Sequence, residues 1–381
     1  MNSVPAPADA DAGDSTRTNL LGMTRPALRA WVAGLGEQPY RADQVMKWAY
    51  HRGAKAFGEM TDLSRLFRER LESLAEFRAP RIESVQQSSD GTRKWLLRLE
   101  DGNAIETVLI PEERRVTLCV SSQVGCALNC SFCSTATQGF SRNLSVEEIV
   151  GQVWLAHHAV GEEDPDGPGI TNVVFMGMGE PLLNFDNVVA AMNIMRDDMA
   201  FGLARRRVTL STSGLVPGID RLREVCDVSL AVSLHAPDDE LRNKLVPINR
   251  KYPIAELLAA CERYVAARPR ARVTFEYTLM AGVNDSPRQA KALARVLEGV
   301  PAKINLIPFN PYPGAVYRRP SQGDMQRFVD ILHRAGYTTT LRRTRGDDID
   351  AACGQLVGRV KDRTRRQARH RARLEGDRPL A

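Results

Sequence analysis

From about residue 116 to residue 309 the chain repeats one unit, a short strand, a loop and a helix, and this repetition restricts the fold more than any other feature. Candidate strands occupy residues 116–122, 172–178, 207–213, 228–235, 272–280 and 303–309. Helical stretches lie between them near 145–160, 186–198, 218–225, 253–267 and 287–298, with another near 321–335. Such alternation predicts an α/β fold with a parallel sheet and crossover helices. Six units point to a partial (β/α)6 barrel rather than the eight-fold one. Parallel strands buried on both faces read as continuous apolar runs, but these do not. Val228, Leu230, Val232 and Leu234 alternate with Ser229, Ala231, Ser233 and His235; Val208 and Leu210 with Thr209, Ser211 and Ser213; Val116, Leu118 and Val120 with Thr117, Cys119 and Ser121. If the apolar set faces the helices, the concave side is polar and built to hold a polar ligand.

The rest of the chain divides around this core. Residues 1–19 have no hydrophobic period and read as a disordered leader. Residues 20–80 form a small helical domain: Pro26 suits a first turn, Leu28, Trp31, Val32 and Leu35 repeat at helix spacing, and Ala42, Val45, Met46, Ala49 and Tyr50 form a second stripe. Basic side chains scattered over these helices fit a solvated face or contacts to RNA phosphates. Residues 81–115 form a β extension punctuated by Asp90-Gly91 and Asp101-Gly102, both hairpin signals. In its last strand Glu106 shares a face with Ala104 and Val108. A carboxylate among apolar neighbours has a raised pKa and can act as a base, although an exposed face is the commoner setting. The core with its C-terminal loop spans 116–358. Residues 359–381 form a basic tail, with eight Arg or Lys and one Asp in 359–373, a flexible segment or a phosphate-binding one. Lys+Arg number 52 against 46 Asp+Glu, a formal charge of +6. Neither a signal-peptide pattern nor an apolar run of spanning length is present, which with the reduced cysteines points to the cytoplasm and to no membrane partner.

Seven cysteines occur. Cys226 and Cys261 fall in apolar helix patterns and read as core residues. Cys126, Cys130 and Cys133 sit at CxxxCxxC spacing within eight residues, a set suited to soft metal. A [4Fe-4S] cluster usually takes four cysteines, so three leave one iron open to a substrate or cofactor. A structural zinc site would want a fourth ligand at regular spacing; three core cysteines are the remaining alternative. Cys353 follows no apolar pattern, and Gly354 beside it leaves the thiol room to move. Gly177-Met178-Gly179-Glu180-Pro181 ends the second strand, where catalytic loops of such folds lie, and Asn310 falls at the mouth after the sixth.

The cysteine motif, with Phe132 before its last member, resembles that of the radical S-adenosylmethionine (SAM) enzymes. The 177–181 segment resembles their glycine-rich motif, departing from Gly-Gly-Glu by Met178. Together with Cys119-Val120-Ser121-Ser122-Gln123-Val124-Gly125-Cys126, Ser211-Thr212-Ser213-Gly214, Ser233-Leu234-His235-Ala236 and the run from Gly346 to Leu356, these motifs resemble the RlmN family of bacterial dual-specificity RNA methyltransferases over residues 25–358.

The resemblance implies methylation of adenine carbon 2 in 23S rRNA and in some tRNAs, a [4Fe-4S] cluster, two SAM molecules per turnover, a cellular reductant and a monomeric enzyme. Cys126, Cys130 and Cys133 would hold the cluster. Gly179, Glu180, Ser211, Ser233, His235 and Asn310 would position SAM, with Leu234 contributing backbone. Cys353 would take a methyl group from one SAM, and reductive cleavage of a second would generate the radical that activates it for addition to adenine. Glu106 would accept the carbon 2 proton, and Cys119 would release the product through a transient disulfide with Cys353. The related carbon 8 methyltransferase shares these motifs. A radical SAM enzyme with another substrate, or a non-catalytic iron-sulfur or RNA-binding protein, is the further alternative.

Overall fold

The computed structural model describes residues 17–266, 268 and 270–370. Strand β1 (Thr18–Asn19) pairs in parallel with β2 (Ala75–Glu76), bracketing α1 (Arg25–Gly34), α2 (Tyr40–Tyr50) and α3 (Arg65–Leu74). Order therefore begins before residue 20: Arg17, Thr18 and Asn19, expected in the disordered leader, belong to the helical domain, while residues 1–16 lie outside the described residues. Pro26 occupies the first turn of α1, and the Ser64 hydroxyl accepts from the Phe67 N–H at 3.2 Å to cap α3. The expected stripe of α2 is buried throughout, each of its larger aliphatic side chains contributing about 1.5–3 kcal/mol.

The extension forms the antiparallel strands β3 (Arg81–Gln87), β4 (Arg93–Arg98) and β5 (Ala104–Glu112), the last pairing with β6 (Arg115–Cys119). Gly91 and Gly102 supply the positive φ that both turns require. After β6 come β7 (Gln123–Gly125), α4 (Ser134–Thr137) and β8 (Phe140–Asn143), the two strands closing a small hairpin. The rest is repetitive: α5 (Val146–Glu163), β9 (Asn172–Phe175), α6 (Phe185–Arg196), β10 (Val208–Thr212), α7 (Val216–Val225), β11 (Ser229–Ser233), α8 (Asp239–Leu245), α9 (Ile254–Ala266), β12 (Val273–Leu279), α10 (Pro287–Val296), β13 (Ala302–Pro308), α11 (Gln322–Arg334) and β14 (Thr339–Leu341).

One ten-stranded sheet runs β14-β13-β12-β11-β10-β9-β6-β5-β4-β3. Strands β6 and β9 to β13, the six expected, are mutually parallel and in sequence order, with β14 added in parallel. Sequential order with right-handed crossovers places every crossover helix on one face, as in an open barrel. Leu210, Leu230, Val232 and Leu234 are buried in the hydrophobic core, leaving the polar alternates for the other face. The extension is thus the antiparallel continuation of this sheet. Strand β5 is interior, flanked by β4 and β6, and all six residues from Ala104 to Leu109 are buried. Glu106 is consequently not on an exposed face.

The basic segment beginning at residue 359, expected to be flexible, is docked as far as it is described. Arg359 and Ala104 exchange backbone hydrogen bonds at 2.8 and 3.0 Å, and the Arg363 N–H donates to the Phe140 carbonyl. Residues 371–381 lie outside the described residues. Among the described residues no helix is long and apolar enough to cross a membrane.

Candidate active site

Loop 126–133 leaves β7 at Gly125, whose φ of 75° and closeness to Gly139 exclude a side chain. The Cys126 N–H donates to the Gly139 carbonyl at 2.7 Å. Cys126, Cys130 and Cys133 all line one cavity of about 880 Å³ measured to its open mouth, together with Gly177, Gly179, Glu180, Ser211, Ser233 and His235. Burial pushes all three thiols up, Cys130 to about 12, with the charges of neighbouring cysteines adding to it. Bound cationic iron removes that cost, since ligating thiols are deprotonated. Three thiol ligands without a fourth at regular spacing are the donor set that leaves one iron of a [4Fe-4S] cluster open.

Close backbone contacts and buried hydrogen bonds shape the walls of this cavity. Gly179 has φ 98°, and a Cβ there would press on the backbone nitrogen of Gln123 at 2.9 Å. Glu180 is buried with both oxygens engaged, Oε1 by the Leu182 N–H at 3.2 Å and Oε2 by the Ser213 N–H at 2.7 Å. Burial raises its pKa against those bonds. The carboxylate thereby ties the loop after β9 to the loop after β10. His235 lies at φ 57° and accepts from the Thr278 N–H through Nδ1 at 2.9 Å. The proton is therefore assigned to Nε2. Burial, with Arg242 adding to it, pushes this imidazole down to about 3, and Phe132 packs on the ring at 4.5 Å. The Leu234 side chain is buried in the core. Its N–H donates to the Glu276 carbonyl at 2.9 Å, and its carbonyl accepts from Arg242 at 3.1 Å.

Two residues escaped the sequence reading, Glu276 in the cavity wall and Arg242 behind it. Glu276 accepts from the Ser211 hydroxyl at 2.9 Å through Oε2, while Oε1 is buried without a hydrogen-bond partner. An unsatisfied buried carboxylate oxygen beside serines and a neutral imidazole fits a ligand carrying an amino group and ribose hydroxyls, as SAM does. Arg242, fully buried, donates to the Ser213, Ser233 and Leu234 carbonyls and to Asn249 Oδ1. Burial holds its pKa down at about 10.

A second cavity is lined by Cys119, Met176, Ile307, Asn310, Arg342 and Cys353. Cys353 also lines the first, so its residue forms part of the wall between the two. Arg342 Nη1 lies 3.7 Å from the Cys353 sulfur. Burial, then the Cys353 charge, pushes the Cys119 thiol up to about 12, with Arg342 opposing. All seven cysteines are free. Asn310 is placed in this second cavity: its Nδ2 donates to the Cys353 carbonyl at 3.2 Å, and its Oδ1 accepts from Arg319 and Thr344.

Glu106 lines neither cavity. Its Oε2 accepts from the Val357 N–H at 2.7 Å, and its Oε1 pairs with Lys94 at 3.1 Å. Lys94 in turn donates to the Asp350 carbonyl at 3.2 Å. Burial raises the Glu106 pKa, with Lys94 and the Val357 bond opposing. The base expected from sequence is thus a buried carboxylate fastened to the loop that carries Cys353. Sequence pattern could locate Glu106 on its strand but not Lys94, which faces it only through the register Leu96↔Glu106.

Residues 120–293 match the Radical SAM superfamily, and residues 18–77 match the ribosomal RNA large subunit methyltransferase N-terminal domain. A curated protein of Marinobacter nauticus, the dual-specificity RNA methyltransferase RlmN, is 58% identical over 359 residues, 94% of this chain and 97% of its own length. The crystal structure of a radical SAM methyltransferase from Sphaerobacter thermophilus is similar with a TM-score of 0.84 at 46% identity, spanning 89% of this chain and 99% of that one.

Proposed function

The chain belongs to the RlmN family of radical SAM RNA methyltransferases, and from that premise we propose that it methylates adenine carbon 2 in 23S rRNA and tRNA by way of Cys353. The observation that carries the reading is the position of Cys353, bordering the cavity of the cysteine triad on one side and that of Cys119 and Arg342 on the other. Adenine carbon 2 is an electrophilic amidine carbon, so it cannot attack a sulfonium methyl directly, and a carrier with access to both compartments meets that difficulty.

In this reading Cys126, Cys130 and Cys133 would hold a [4Fe-4S] cluster, and Gly179, Glu180, Ser211, Ser233 and His235, with the Leu234 backbone, would fix the SAM site; Asn310, which lines the second cavity, would reach SAM only from the Cys353 side. When bound, the cluster would supply the electron for reductive cleavage of SAM. Glu180 keeps the backbone of two loops in place through its own hydrogen bonds, and the neutral His235 offers Nε2–H as a donor. Cys353 loses its thiol proton and takes the methyl group of one SAM on sulfur, releasing S-adenosylhomocysteine. The 5′-deoxyadenosyl radical from a second SAM removes a hydrogen atom from that methyl. The carbon radical adds to adenine carbon 2, joining Cys353 to the RNA in an adduct whose odd electron the oxidised cluster would take back. Glu106 takes the carbon 2 proton, which requires the Val357 contact to open. Its raised pKa makes it a stronger base than a solvated glutamate. Cys119 then attacks the Cys353 sulfur, forming a transient disulfide as product leaves; Arg342 favours the thiolate that burial opposes. The enzyme works as a cytoplasmic monomer with a cellular reductant.

The test is anaerobic: reconstituted protein, reductant, methyl-labelled SAM and an unmodified 23S rRNA fragment, followed by identification of the labelled nucleoside. Label at carbon 2 is expected. Label at carbon 8 would assign the related activity, and SAM cleavage without labelled RNA would reject the substrate.

A further inference from the structure

The C-terminal segment takes a path the activity does not call for. After the bridge to Ala104 it crosses the β7–β8 hairpin: the Lys361 N–H donates to Asn103 Oδ1 at 2.8 Å, and Asp362 packs on Gly139, where any Cβ would collide with its carboxylate. Asp362 is itself held by the Thr364 N–H at 2.7 Å and the Gln367 N–H at 2.9 Å, which starts the turn that follows. That turn delivers Arg366 to loop 126–133. Its Nη1 donates to the carbonyls of Cys126 at 3.2 Å and Leu128 at 2.7 Å, and its Nη2 to that of Ala127 at 2.6 Å. Three consecutive carbonyls thus converge on one half-buried guanidinium, whose planar fork suits them. The Cys126 peptide is fixed on both sides, its N–H by Gly139 and its C=O by Arg366.

We propose that residues 359–370 clamp the cluster loop and that Arg366 is its positioning residue, holding the first cysteine in ligating geometry and placing a fixed positive charge beside the cluster. This rests on the reading that the triad holds a cluster. Partners that orient metal ligands typically change metal affinity by about 10–100-fold when removed. Cluster potentials also depend on nearby charge and hydrogen bonding. Reduction adds negative charge, so losing the guanidinium should make it harder.

Arg366→Ala, Arg366→Lys and a Cys130→Ala control would be reconstituted anaerobically as full chains. Each would be followed by iron and sulfide content, by iron loss to a chelator and by midpoint potential; apo-protein melting would be measured alongside. Expected for Arg366→Ala are iron loss about tenfold faster, a more negative potential and unchanged apo melting. Arg366→Lys keeps the charge without the fork, so its potential should return towards the parental value while iron loss stays intermediate. Parental iron loss and potential in Arg366→Ala would overturn the clamp, as would loss in both variants that merely follows a lowered apo melting temperature. Parental loading of Cys130→Ala would instead overturn the cluster reading, so the two failures are distinguishable.

Discussion

A cysteine that borders two cavities has to be judged by what each side does with it. Replacing Cys353 by Ala should abolish methyl transfer to protein and RNA while leaving iron content and SAM binding at parental levels, because the triad and the Ser211, Ser233 and His235 wall stand without it. RNA methylation retained in that variant would end the carrier role. Cys119→Ala has a different expected outcome, accumulation of a covalent protein–RNA adduct visible on a denaturing gel, and multiple turnover without adduct would remove Cys119 from product release. These residues were legible in sequence because local signals expose them: cysteine spacing, a strand alternation that turns Cys119 inward, a glycine after Cys353. Arg342, Glu276, Arg242 and Arg366 carried no such signal. Each acquires its role from a partner remote along the chain or in a neighbouring strand, as Arg366 does from carbonyls about 240 residues away, and no local pattern encodes that.

Among elements, the repeated strands and helices were readable because their periods are long and regular. Short or docked pieces were not: α4, α8 and the β7–β8 hairpin have too few residues to set up a period, and the segment after 358 is held by hydrogen bonds to β5 and β8 that its basic composition conceals. The extension has the larger consequence. Its turn accepts the Gly346 N–H on Asp90 Oδ2 at 3.1 Å, and Lys94 and Glu106 hold Asp350 and Val357, so β3 to β5 form the dock for the loop carrying Cys353. Removing one member of a buried ion pair leaves the other uncompensated, at a cost of about 3–5 kcal/mol. Lys94→Met should therefore lower unfolding free energy by that order and loosen the loop, reducing RNA methylation with iron content unchanged. Adding Glu106→Gln should restore much of the stability and none of the activity. A loss below about 1 kcal/mol in the single variant, within the range of exposed pairs, would show that the pair is not an effective clamp.

At the scale of the whole molecule, the helical domain, the sheet and the clamped C-terminal segment join into one body. Trp154 of α5 donates to the Ala49 carbonyl of α2 at 3.1 Å, and Arg25 pairs with Asp43 at 3.0 Å and with Asp198, beyond α6, at 2.8 Å. Acid should test the whole assembly in two stages. Burial depresses His235 to about 3 and lowers His157, which His158 and His51 also repel. Between the ordinary histidine value of 6.5 and these folded values the unfolded chain binds more protons. Stability is thus fully present above pH 6.5 and is lost as pH falls, by at most about 1.4 kcal/mol per pH unit per histidine. Asp90 and Asp101 respond later. Burial raises both, but hydrogen bonds outweigh it, from Thr92, Gly346 and Ser88 on Asp90 and from Arg142 and Asn103 on Asp101, and hold each at about 2. Their contribution is present above the ordinary carboxylate value of 3.8 and disappears below it. Urea unfolding of the apo protein across this range should show both stages. His235→Gln should flatten the first and leave the second; an unchanged slope between pH 6.5 and pH 4 in that variant would mean that His235 is protonated in the folded protein, and its role as a neutral Nε2–H donor in the SAM site would have to be abandoned.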